Sequence, residues 1–134
     1  MELHIYSDGA SRGNPGPAGG GFVIYSDDGV SLREGRVPLG QTTNNVAEYT
    51  ALLEAAKSAL EFKPERLIFF LDSELVVKQM KGEYKVKKEH LREIKDQITD
   101  TLKGVPADFR HVPRAQNKVA DKLANEAIDG KGGE

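Results

Sequence analysis

At 134 residues the chain has the length of one domain, long enough to bury a core without staples. It contains no cysteine, which excludes disulfides, thiolate zinc sites and cysteine nucleophiles, and leaves hard oxygen ligands for any metal. Lys and Arg number 19 against 21 Asp and Glu, a formal net charge of −2, which argues against a grip on nucleic acid through a broad positive field unless clustered acids hold metal.

Leu3 to Ser7 carries β-prone side chains and delivers Asp8 to its carboxyl end. A glycine-rich stretch, Gly9 to Gly20, reads as a loop before a second strand, Gly21 to Tyr25. Asp27-Asp28-Gly29 supplies a hairpin turn, and Val30 to Leu39 reads as a third, amphipathic strand, giving an antiparallel meander. Gln41 to Asn45 is a cluster of capping side chains ahead of a helix over 46–62, on which Tyr49, Leu52, Leu53, Ala56 and Leu60 recur at helical spacing. Lys63-Pro64 ends it. Arg66 to Leu71 is a short apolar run suited to a strand buried on both faces, and it stops at Asp72-Ser73. A short helix follows with Leu75, Val76 and Met80 turned inward, then basic Lys85 to Lys88, then an amphipathic helix over 90–102. Residues 108–112 read as a fifth strand, 113–117 as a loop and 118–128 as a last helix with Val119, Ala120, Leu123, Ala124 and Ala127 as its apolar stripe. One domain is expected over residues 3–128, with a flexible tail over 129–134. The order βββαβααβα predicts an α/β fold: a five-stranded mixed sheet, three strands antiparallel and then two parallel, flanked by helices.

In such sheets ligands sit at the carboxyl ends of parallel strands, where Asp8 and Asp72 both fall. If these strands are neighbours, the two carboxylates repel each other unless a cation fills the gap. Taken one at a time, the acids have plainer readings. An Asp before Gly or Ser starts a turn, Glu48 suits the first turns of a helix, and Asp121 borders an apolar stripe as a surface acid would.

The surrounding residues narrow the choice. Tyr6-Ser7-Asp8-Gly9-Ala10-Ser11 with Asn14-Pro15-Gly16-Pro17-Ala18-Gly19, Thr43-Asn44-Asn45-Val46-Ala47-Glu48-Tyr49, Asp72-Ser73, and Asn117-Lys118-Val119-Ala120-Asp121-Lys122-Leu123-Ala124 resemble, in order and spacing, the type 1 ribonuclease H family. The similarity runs from residue 3 to about 128, and it implies an endonuclease that hydrolyses the RNA strand of an RNA–DNA hybrid, leaving 5′-phosphate and 3′-hydroxyl ends. The family's metal-binding acids fall on Asp8, Glu48, Asp72 and Asp121, with none substituted, and imply two Mg²⁺ ions, with Mn²⁺ as a substitute. Carboxylates are suitable hard ligands, and two such ions activate the attacking water and stabilise the leaving oxygen. By the same resemblance Asn14, Asn44 and Asn45 meet the minor groove and the 2′-hydroxyl, and Thr43 a phosphate. Asn44 and Asn45 equally suit a helix cap, and Asn14 a turn.

The glycines from Gly13 to Gly21 allow close backbone approach to a duplex but are no nucleotide P-loop, since the Lys-[Ser/Thr] ending is missing. His111 precedes Asp121 where family members carry a histidine that assists proton transfer or product release; Val112-Pro113-Arg114 follows it in place of a glycine-rich loop, so either His111 or Arg114 serves the site. The long basic, tryptophan-bearing excursion of some members is absent, which predicts weaker, salt-dependent binding in which Lys78, Lys81, Lys85, Lys87 and Lys88 either contact phosphates or form a solvated face. Other readings are an inactive nucleic-acid-binding module of the same fold, or a DNA-directed nuclease of the same superfamily. No targeting pattern or membrane span is evident, so a cytoplasmic monomer is the expectation.

Overall fold

Strict alternation builds the first strand: Leu3, Ile5, Ser7 and Gly9 are buried, while His4, Tyr6, Asp8 and Ala10 face the other side. The computed structural model describes residues 1–130, and its sheet has the order β3-β2-β1-β4-β5. In chain order the elements are β1 (Glu2–Ser11), β2 (Gly16–Ser26), β3 (Ser31–Thr42), α1 (Asn44–Leu60), β4 (Arg66–Leu71), α2 (Glu74–Met80), α3 (Glu89–Thr101), β5 (Ala107–His111), a 3₁₀ turn over Arg114–Gln116, and α4 (Lys118–Ile128). β1 runs antiparallel to β2, and parallel to β4 from Glu2↔Arg66 to Tyr6↔Phe70. β4 and β5 are also parallel. The expected sheet, three antiparallel strands then two parallel, is the one formed.

The main core lies on one face, where Leu3, Ile5, Phe22, Ile24, Leu67 and Phe69 meet Leu52 and Ala56 of α1 and Leu91 and Ile98 of α3. Phe69 stacks on Phe109 with centroids 5.2 Å apart. Tyr49 of α1 donates its hydroxyl to Gln79 Oε1 of α2 at 2.5 Å, a buried tie between the two helices. Among the described residues, the opposite face carries α4, packed on β2, β3 and β1.

The structure departs from several expectations. The stretch 9–20 is mostly strand, since β1 continues to Ser11 and β2 begins at Gly16, leaving only residues 12–15 as the connection, with a cis Asn14–Pro15 peptide. Glycine is a poor strand former in isolation, but here close helix packing selects it. Gly20 faces α1 at Ala51 while Gly19 and Gly21 face α4, so these glycines serve helix-on-sheet contact, and Gly19 to Gly21 are not a surface for a duplex. Leu75 is 46% exposed, whereas Val76 turns inward as expected, joined by Val77 and Gln79, and Met80 packs partly buried against the core. Val119 is exposed too, outside the buried stripe of α4. At the C-terminus, Asp129 accepts from Arg12 at 2.6 Å and so is held to the β1–β2 connection. The expected tail lies outside the described residues from 131 onward.

Candidate active site

Asp8 stands on β1 two residues beyond the last parallel pair, opposite Gly21 of β2, rather than at the strand's end as the sequence reading has it. Asp72 directly follows β4. Two glycines beside Asp8 let the helices bring the other acids in. A Cβ on Gly9 would fall 2.2 Å from the Ala47 carbonyl carbon and 2.3 Å from the Glu48 nitrogen, so a bare glycine is what admits α1 at Glu48. A Cβ on Gly21 would fall 2.4 Å from the Ala120 oxygen, and its absence lets the first turn of α4, which carries Asp121, lie on the sheet.

The result is a cleft of about 260 Å³ whose walls include Asp8, Glu48, Asp72 and Asp121, with Asn44 and Arg114 at the same opening. Two larger depressions, about 410 and about 580 Å³, are lined by none of these four acids. Burial pushes the Asp8 carboxyl up to about 8, helped by the negative charge of Asp72 and then by Asp121 and Glu48. Burial likewise raises Glu48 to about 7; the Ser73 hydroxyl draws it down, and the charge of Asp72 adds to the rise. Such a set is strained as anions and matched to a hard cation, for which carboxylate oxygens are the right donors. Among the described residues no three of these side chains converge to the spacing of a coordination sphere.

The remaining candidates divide. Arg114 reaches the cleft from the 3₁₀ turn, whereas His111 ends β5 opposite Leu71, exposed and not among the cleft's walls. Asn44 is at the opening, and its backbone N–H donates to Asn14 Oδ1 at 3.0 Å, which brings the β1–β2 connection against the start of α1. Thr43 caps α1, its Oγ1 accepting from Val46 N at 3.3 Å. Asn45 faces the neighbouring depression, beside Tyr84, Lys85, Lys87 and Lys88.

Two residues to which sequence reasoning assigned no role hold the acids. Asn117 donates from Nδ2 to Asp72 Oδ2 at 3.0 Å and to the Ser7 carbonyl at 2.9 Å. Asn125 donates to the Asp121 carbonyl at 3.0 Å. An Asn four residues before Asp121, just ahead of α4, and another four residues after it, within α4, was the available signal.

A family profile described as reverse transcriptase-like matches residues 6–127. The chain is 44% identical to a ribonuclease HI of Halobacterium salinarum across 95% of its own length, and superposes on that enzyme's crystal structure with a TM-score of 0.92, covering 97% of this chain and 99% of that one. The chain belongs to the type 1 ribonuclease H family. Within this family it is also similar to LC11-RNase H1, a compost protein crystallised with an RNA/DNA hybrid, at 43% identity and a TM-score of 0.91 over 96% of this chain and 97% of that one. A bifunctional protein of Mycobacterium tuberculosis is 41% identical over 96% of this chain. The chain spans 64% of the curated halobacterial ribonuclease and 36% of the mycobacterial protein. Ribonucleases H are typically metal-dependent. Among the described residues, no helix is long and apolar enough to cross a membrane.

Proposed function

We propose that the chain is a catalytic domain over residues 3–128 that hydrolyses the RNA strand of RNA–DNA hybrids. The observation that carries this reading is the gathering of Asp8, Glu48, Asp72 and Asp121 in one cleft with a cation, Arg114, at its mouth. The hybrid-bound relative at 43% identity supports the substrate class.

The four carboxylates hold two Mg²⁺ ions, with Mn²⁺ able to replace them, and the donor chemistry fits: all-oxygen, anionic, and raised in pKa at Asp8 and Glu48. When bound, the metal supplies activation of the attacking water and stabilisation of the leaving oxygen. Water adds to phosphorus, the P–O3′ bond breaks, and the leaving oxygen takes up a proton, so the ends are 5′-phosphate and 3′-hydroxyl. Arg114 offers guanidinium donors to the scissile phosphate. Asn14 Oδ1 is engaged by Asn44 N–H, so the Asn14 amide meets the minor groove through its own N–H donors. Asn44 and Asn45 sit on adjoining depressions and supply the donors and acceptors that distinguish a 2′-hydroxyl. Thr43 Oγ1 accepts from the backbone, leaving its O–H to donate to a phosphate. His111 stands aside from the reaction. A lack of cysteine fits a reducing, cytoplasmic setting, and the working unit is a monomer.

The test is cleavage of end-labelled RNA–DNA hybrid, single-stranded RNA, double-stranded RNA and duplex DNA with Mg²⁺, Mn²⁺ or EDTA. Metal-dependent cutting of the hybrid's RNA strand alone is expected. Hybrid binding without cutting would make the chain an inactive module, and cutting of duplex DNA would make it a DNA-directed nuclease.

A further inference from the structure

The parallel ladder between β1 and β4 ends at Tyr6↔Phe70, one residue short of Ser7 and two short of Asp8. Beyond that pair β1 stays bound to β2, and β4 stops at Leu71. Two acceptors then face each other with no ladder donor between them, the Ser7 carbonyl and the Asp72 carboxylate. The Asn117 amide fills the gap with its two N–H groups, one to each. Asn117 is 1% exposed. Its backbone extends the connection: its carbonyl accepts from Asp121 N–H at 3.1 Å, and its own N–H donates to the Arg114 carbonyl at 3.0 Å. This one residue therefore touches Asp72, the residue before Asp8, the backbone of Asp121 and the backbone of Arg114.

A plain helix cap does not explain the arrangement, because Asn117 precedes α4 yet makes no side-chain cap bond to it. Nor would an apolar or anionic residue of the same size serve, since both acceptors require a donor. We infer that Asn117 is a positioning residue for the metal site, an artificial rung that fixes the direction of the Asp72 carboxylate and the spacing of Asp8, Asp72 and Asp121. This inference rests on the metal-binding reading given above. Residues that hydrogen-bond a metal ligand typically govern metal affinity by about 10–100-fold.

The experiment is a Mg²⁺ titration of the substrate-free protein, read by calorimetry and by the metal-induced rise in Tm, for wild type, Asn117→Ala and the exposed neighbour control Gln116→Ala. Asn117→Ala is expected to bind Mg²⁺ at least about tenfold more weakly. In cleavage assays its half-saturating Mg²⁺ concentration rises by a similar factor while KM for hybrid at saturating Mg²⁺ stays within about twofold. Gln116→Ala is expected to match wild type. Asn117→Ser, which is smaller than Asn and too short to span both acceptors, carries the same test if the alanine variant does not unfold cooperatively. A folded variant with lowered Tm but wild-type Mg²⁺ affinity would overturn the inference and leave Asn117 a purely structural residue. Failure of the wild type itself to bind Mg²⁺ would instead overturn the metal-binding reading beneath it.

Discussion

Burial, and then the negative charges of Asp72, Asp121 and Glu48, raise the folded-state carboxyl of Asp8 from 3.8 to about 8. In the unfolded chain both the burial and the repulsion are gone and the proton leaves near pH 4. Between those values the folded state binds more protons, so the stability contributed by the neutral carboxyl is full below about pH 4 and is lost as pH rises through about 8. Glu48, raised from 4.5 to about 7, acts in the same sense. Asp8→Asn should therefore raise Tm above wild type at pH 8 in EDTA, with the gap closing near pH 4, as thermal unfolding followed by circular dichroism would record. Mg²⁺ should raise the wild-type Tm more at pH 8 than at pH 6, because Asp8 and Glu48 are then more fully ionised. At the cleft mouth, Arg114→Ala should lower kcat/KM by about tenfold or more, ~1.4 kcal/mol of transition-state stabilisation, while His111→Ala stays within about twofold. Steady-state kinetics on a fixed hybrid separates the two, which sequence could not do: they lie three residues apart, and it is the fold that ends β5 at His111 and carries Arg114 into the cleft on the 3₁₀ turn.

At the scale of elements, the site exists because two helices cross the sheet at bare glycines. Gly9→Ala would drive a methyl into the Ala47–Glu48 backbone and displace α1, and overpacking of this kind typically costs about 1–3 kcal/mol. The predicted outcome is a lowered denaturation midpoint together with abolished cleavage, since Glu48 moves with the helix. Helix existence and order were legible from periodicity: α4 over Lys118–Ile128 lies where the apolar stripe puts it. The glycine-rich run was misread because local propensity treats glycine as a strand breaker, and the Ala120 and Ala47 backbones that make it necessary come from distant parts of the chain. Leu75 misled for a related reason. Its hydrophobicity suggested burial, but the buried polar contact of Gln79 with Tyr49 sets the inward face of α2. The four acids were legible because each sits in a recognisable block, whereas the Asn117 hydrogen bonds join residues 110 and 45 positions apart, a separation that no local pattern reveals.

For the molecule as a whole, a formal charge of −2 means that the proposed hybrid binding would fall to local clusters and to the metal. Lys85, Lys87 and Lys88 beside Tyr84 line the larger depression next to Asn45, continuous with the start of α1 that bears Asn44. Replacing the three lysines with Gln should raise KM, leave kcat nearly unchanged, and flatten the dependence of log KM on log salt by up to about one unit of slope for each phosphate that is no longer neutralised. The most direct measurement of the central claim is Mg²⁺-dependent cleavage of one end-labelled RNA–DNA hybrid by wild type and by Asp8→Asn, Glu48→Gln, Asp72→Asn and Asp121→Asn, each confirmed folded. The metal-site assignment requires RNA-strand cutting by wild type that EDTA abolishes, and a fall of about 10²-fold or more in each amide variant. Full activity in a folded Asp72→Asn protein, or wild-type cleavage that persists in EDTA, would contradict it.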